Sequence, residues 1–181
     1  MSRISAIEVD QAPAASQELL GAVQKKLGVA PNVFRTMAHS PAVLQAFLGF
    51  GEAMGSGSVS AQLGEQIALT VAGRNECDYC ASAHTILGKG AGLAEDELAA
   101  NLKGEAGDAK AQAALTFASQ IVENRGVVSD EQLQAVRNAG YSDAEVVEII
   151  AHVSINIFTN YLNHIAGTDV DFPVVSSRQA A

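Results

Sequence analysis

With 181 residues, 48% of them hydrophobic, the chain is long enough to bury a substantial core, and residues 1–181 are read as a single domain. A net charge of −9, no cluster among the 11 lysines and arginines, no tryptophan and few aromatics argue against nucleic acid as a partner and against a membrane-interface belt. There is no run of about 18 apolar residues, and Met1 to Leu20 lack the charged start and apolar stretch of a signal peptide, so a soluble, cytoplasmic protein is expected.

Apolar residues recur at helical spacing almost throughout, with no alternating β-branched run bounded by turns, so the predicted fold class is all-α. A first helix over residues 17–27 closes at Gly28, Pro31 opens a short one to Met37, and Pro41 opens another to about Met54. Gly55-Ser56-Gly57-Ser58 reads as a connector, and Ser60 as the cap of a helix reaching Gly73 or Arg74. The next helix is predicted to begin with Asn75 as its N-cap and to stop between Gly88 and Gly92. Helices over 95–102 and 108–124 follow, the second broken by Gly126. Ser129 with Gln132, and Ser142 with Glu145, have capping-box spacing and start helices over 130–138 and 143–164. The last is apolar on most sides, through Val146, Val147, Ile149, Ile150, Val153, Ile155, Ile157 and Phe158, so it is expected in the core or in a subunit interface. No regular structure is predicted after Gly167.

The chemistry concentrates in Cys77-Asp78-Tyr79-Cys80-Ala81-Ser82-Ala83-His84, and the chain has no other cysteine. On a helix the two sulfurs and the imidazole share one face, since they lie three and four residues apart. A thiol near a helix start is biased toward thiolate, and C-x-x-C cysteines commonly have pKa values of roughly 3.5 to 7.5 instead of about 8.5. In a reducing cytosol such a pair is seldom a permanent staple, which favours a transient disulfide or a metal site. His84, one turn beyond Cys80, can accept the thiol proton.

Glu65 lies twelve residues before Cys77, on the preceding helix. By pattern alone it reads better as a solvated glutamate, but if the two helices pack as a pair it can orient His84. Tyr79 is assigned to the outer face or the pocket mouth, and His39, His152 and His164 to structural roles. Cys77, Cys80, His84 and Glu65 also suit a zinc site, and the same residues would serve a non-catalytic redox sensor.

Glu65 together with Glu76-Cys77-Asp78-Tyr79-Cys80-Ala81-Ser82-Ala83-His84 resembles the signature of the alkyl hydroperoxidase D-like proteins of the carboxymuconolactone decarboxylase superfamily, in particular its uncharacterised peroxidase-related branch. The resemblance runs from about Pro31 to Phe172-Pro173 and includes the stretch from Asn156 to His164. It implies an all-α fold that assembles into homotrimers or hexamers, and no cofactor or metal. It implies Cys80 as the peroxidatic thiol, Cys77 as the resolving thiol, and His84 with Glu65 as the proton relay. The partners implied are a hydroperoxide substrate and a thiol or dithiol reductant. Where the mycobacterial hydroperoxidase of that family has a histidine directly before its second cysteine, this chain has Tyr79.

Overall fold

A computed structural model describes residues 2–178, and among them the regular structure is entirely helical. After a short 3₁₀ turn at Val9–Gln11 come α1 (Ala14–Leu27), α2 (Asn32–Met37), α3 (Pro41–Met54), α4 (Ala61–Arg74), α5 (Asp78–Gly90), α6 (Glu95–Asn101), α7 (Ala109–Glu123), α8 (Asp130–Asn138) and α9 (Asp143–Ala166). No helix among the described residues is long and apolar enough to cross a membrane.

The helix starts follow their caps. Ser40, Ser60, Asp108, Ser129 and Ser142 each accept a backbone N–H of the first turn, and both capping boxes form in full. Three boundaries differ from expectation. α1 begins earlier, at Ala14, directly after Pro13. α9 continues to Ala166 and stops where Gly167 turns left-handed at φ 61°. The third difference bears on the site: Asn75 does not cap α5 but ends α4.

Between α4 and α5 the chain reverses in a Schellman motif. The N–H of Cys77 donates to the Ala72 carbonyl at 2.9 Å and that of Glu76 to the Gly73 carbonyl at 3.2 Å, with Glu76 left-handed at φ 54°. Cys77 is thereby extended and becomes the N-cap of α5. The reversal folds α5 back along α4, so that late residues of α5 meet early residues of α4. Gly73 permits the close approach beside this turn, because a Cβ there would sit 2.0 Å from the Leu102 carbonyl oxygen.

α4 packs against α5, α7 and α9 and contributes to two cores. Ile67 and Val71 join Leu115, Phe117, Val136, Ile149 and Val153 in the first. Ala72 joins Leu20, Met37, Leu44, Cys77, Tyr79 and Cys80 in the second, which ties α1–α3 to the start of α5.

α9 changes character along its length. Its buried face is apolar through Val146, Ile149 and Val153, then carries Asn156, Thr159, Asn160 and Asn163. The buried face of α9 is therefore apolar along its first half only. On the other side Val147, Ile150, Phe158, Tyr161 and Ile165 form an exposed stripe.

Candidate active site

The α4–α5 reversal brings Glu65 to His84, whose Nδ1 lies 2.7 Å from Glu65 Oε2. Both side chains are about four-fifths buried, with relative exposures of 21% and 22%, so this contact is far better shielded from water than a surface ion pair. Burial opposes a charge on His84, but the Glu65 carboxylate, its hydrogen bond, the nearby Cys80 and the Asn156 amide outweigh it and raise the imidazole pKa above 6.5.

Cys77 and Cys80 are both reduced and buried, with 1% and 3% of their surface exposed. As the N-cap and third residue of α5, they stand where unpaired backbone amides and the helix dipole favour negative charge. Their surroundings then separate them. The Cys77 thiol donates to Cys80, and His84, Asn163 and Asn160 add to this against the cost of burial, so the Cys80 pKa falls to about 6. The Cys77 pKa moves strongly upward through that same hydrogen bond, burial and the charge on Cys80.

Asn163 Nδ2 donates to Cys80 Sγ at 3.3 Å, and Thr159 Oγ1 lies 3.9 Å from the same sulfur. The Asn160 Oδ1 accepts from Asn75 Nδ2 at 2.9 Å, while its own Nδ2 is buried without a partner among the described residues. A thiolate at Cys80 is an acceptor for the Asn163 amide and the one that the Asn160 amide lacks. This α9 stripe was assigned no role from sequence. Its signal was nonetheless present, since Asn156, Asn160 and Asn163 recur at helical spacing in an apolar helix, where asparagine is a poor helix former.

Tyr79 faces neither solvent nor a pocket mouth. It is buried on the opposite side of α5, where its hydroxyl donates to Asp171 Oδ1 at 2.8 Å and accepts the Val33 N–H at 3.0 Å, with its ring edge-on to Phe172 at 5.5 Å. The segment after Gly167 lacks regular structure, as expected, but it is stitched along the motif. Ser177 donates through N and Oγ to Asp78 Oδ1 at 2.8 and 2.7 Å, the Val175 N–H donates to Ser82 Oγ at 2.9 Å, and Arg178 pairs with Glu76 at 3.1 Å.

A cavity of about 310 Å³ lies among α3, the 55–60 loop, α4, α5 and α9. It reaches Glu65, His84, Asn156 and Thr159, and Cys80 lies one layer behind them. His152, read from sequence as structural, also lines it. Among the described residues no group of three or more histidine, cysteine, aspartate or glutamate side chains has metal-holding geometry.

The fold and this constellation define a class. The Carboxymuconolactone decarboxylase family model matches residues 41–124. An uncharacterized peroxidase-related protein from Ralstonia eutropha JMP134, described as an alkylhydroperoxidase AhpD core, aligns with a TM-score of 0.83 at 26% identity, over 94% of this chain and 92% of its own. A peroxidase-related protein from Silicibacter sp. TM1040 aligns at 0.80 and 23% identity, over 92% and 91%. The debrominase Bmp8, in complex with 2,3,4-tribromopyrrole, shares the fold at 0.79 and 20% identity, over 93% and 91%. None of the curated proteins matches the chain. Over residues 41–124 the chain is similar to the carboxymuconolactone decarboxylase family, and its fold is alkylhydroperoxidase D-like.

Proposed function

We propose that the chain is a thiol-dependent peroxidase cycling between a Cys77, Cys80 dithiol and a disulfide. The observation that carries this reading is the buried 2.7 Å Glu65–His84 pair one helical turn from Cys80, a thiol whose pKa its neighbours lower to about 6. Glu65 fixes the imidazole through Nδ1, leaving Nε2 to exchange a proton with the thiol or the leaving oxygen.

In the first step the Cys80 thiolate attacks the terminal oxygen of a hydroperoxide. The S–O bond forms as the O–O bond breaks, and the departing alkoxide takes a proton from the His84 imidazolium, giving the alcohol and a Cys80 sulfenic acid. Cys77 then attacks the sulfenic sulfur, forming the disulfide and expelling water. The raised pKa of Cys77 suits it to remain a thiol until that step, when it must lose its proton. An external dithiol exchanges with the disulfide and returns both cysteines to thiols, becoming oxidised itself.

Stopped-flow mixing of reduced protein with an organic hydroperoxide, followed by mass spectrometry of Cys77 and Cys80, tests the cycle. Wild-type protein should pass through a sulfenic acid at Cys80 to an internal disulfide, and Cys77→Ser should stall at the sulfenic acid. Full turnover in Cys80→Ser would sink the assignment.

A second reading, a redox sensor with negligible turnover, draws on the 171–178 segment bonded to Glu76, Asp78, Tyr79 and Ser82, which disulfide formation could shift. Oxidation that changes assembly without consuming peroxide would favour it. The exposed stripe Val147, Ile150, Phe158, Tyr161 and Ile165 supports a homo-oligomer that buries this face of α9, measurable by native mass spectrometry.

A further inference from the structure

The cavity holds a second imidazole that the proposed cycle leaves unused. His152 stands on α9 one turn before Asn156 and lines the same space as Glu65 and His84. Its Nε2 is buried and has no hydrogen-bond partner among the described residues. Native proteins seldom leave such a nitrogen orphaned unless a ligand, water or chemical role completes it. The ring's position is built rather than incidental. Gly64, the residue before Glu65, lets it lie against α4, and a Cβ at 64 would stand 3.1 Å from His152 Cε1.

The charge of the surroundings narrows what can bind. No lysine or arginine lines the cavity. Glu65 lies in its wall, and the Glu148 carboxylate sits at the 55–60 loop, accepting the N–H groups of Ser58 and Val59 at 2.7 and 2.8 Å. Burial keeps His152 neutral despite these two carboxylates, its pKa being lowered. A neutral imidazole offers one donor and one acceptor, which matches the O–H of a hydroperoxide or alcohol. Phe47, Met54 and Ile155 supply apolar walls, and about 310 Å³ is the scale of a small organic molecule rather than of hydrogen peroxide.

We infer that His152 is a substrate-binding residue, and that the cavity takes an uncharged, partly apolar organic hydroperoxide in preference to one bearing a carboxylate. This rests on Cys80 being the peroxidatic thiol. Binding can still be tested without the chemistry.

In Cys80→Ser protein labelled with ¹³C at the histidine Cε1 positions, titration with cumyl alcohol, the reduction product of cumene hydroperoxide, should shift the His152 resonance saturably. Binding of the alcohol should weaken by about tenfold in a Cys80→Ser, His152→Phe protein, and phenylacetate should bind wild-type cavities about tenfold more weakly than the alcohol. In protein with both cysteines, His152→Gln should slow Cys80 oxidation by cumene hydroperoxide about tenfold and leave oxidation by hydrogen peroxide within about twofold. Equal losses with both peroxides would mark His152 as a support of the relay or fold and overturn the inference. Unchanged alcohol affinity in the His152→Phe protein, or phenylacetate binding as well as the alcohol, would overturn it too. If the alcohol binds at His152 but no hydroperoxide oxidises Cys80, the cavity assignment stands and the peroxidase reading falls.

Discussion

Cys77 and Cys80 begin the same helix, and the two sides of that helix treat them differently. On the Cys80 side, His84 of α5 itself, held by Glu65 of α4, and the Asn160 and Asn163 amides of α9 stabilise negative charge. On the other side, α2 and the 171–178 segment fasten Asp78, Tyr79 and Ser82, and Cys77 is left with 1% exposure. Helix position alone would make both thiols acidic. The lesson is that neighbours in space, from α5 itself and from α4 and α9, divide the two thiols: one is made acidic, and the other is held protonated under a cover.

Removing the ion pair should break this asymmetry most severely. Glu65→Gln should lower the rate of Cys80 oxidation by roughly 10²- to 10³-fold, because the imidazolium loses its counter-charge and the thiolate loses the imidazolium. The pH dependence sharpens the same point. In the proposed cycle the rate needs a Cys80 thiolate and a protonated His84, so it should rise as pH increases through about 6 and fall as pH passes the raised His84 pKa. Glu65→Gln should draw the alkaline limb of this bell toward lower pH, which a stopped-flow pH series would reveal.

The cover can be loosened without touching the relay. Asp78→Ala removes the acceptor for both Ser177 bonds, and alkylation of Cys77 by iodoacetamide should accelerate by roughly tenfold as the segment opens more often. An unchanged alkylation rate would show that other contacts alone keep Cys77 closed. The smallest effect is expected at the reversal that sets the register of α5. Glu76→Gly should stabilise the fold by about 1 kcal/mol, read by thermal melting, because glycine takes φ 54° without the left-handed penalty and the exposed Glu76–Arg178 pair contributes little. Destabilisation instead would mean that the ion pair anchors the segment after all.

Legibility in the sequence followed how local each signal was. The helices opened by Ser60, Ser129 and Ser142 could be read because a cap and its first turn lie within four residues. Asn75 misled because asparagine suits both ends of a helix, and the left-handed Glu76 that decides the matter carries no glycine to announce it. Tyr79 could not be oriented, since its partners Val33, Asp171 and Phe172 come from distant parts of the chain. His152 was passed over because the cavity that gives it meaning is assembled from four helices and a loop.

By itself the sequence determined the all-α character and the grouping of two thiols and an imidazole on one helical face, because periodicity, caps and i, i+3, i+4 spacing are short-range properties of the backbone. Only the tertiary structure decided which thiol is acidic, that Glu65 meets His84, and that Tyr79 turns away from the cavity. Hydrogen bonds, burial and charge act over a few ångströms in space, and Glu65 and His84 are 19 positions apart in the chain, Tyr79 and Asp171 92.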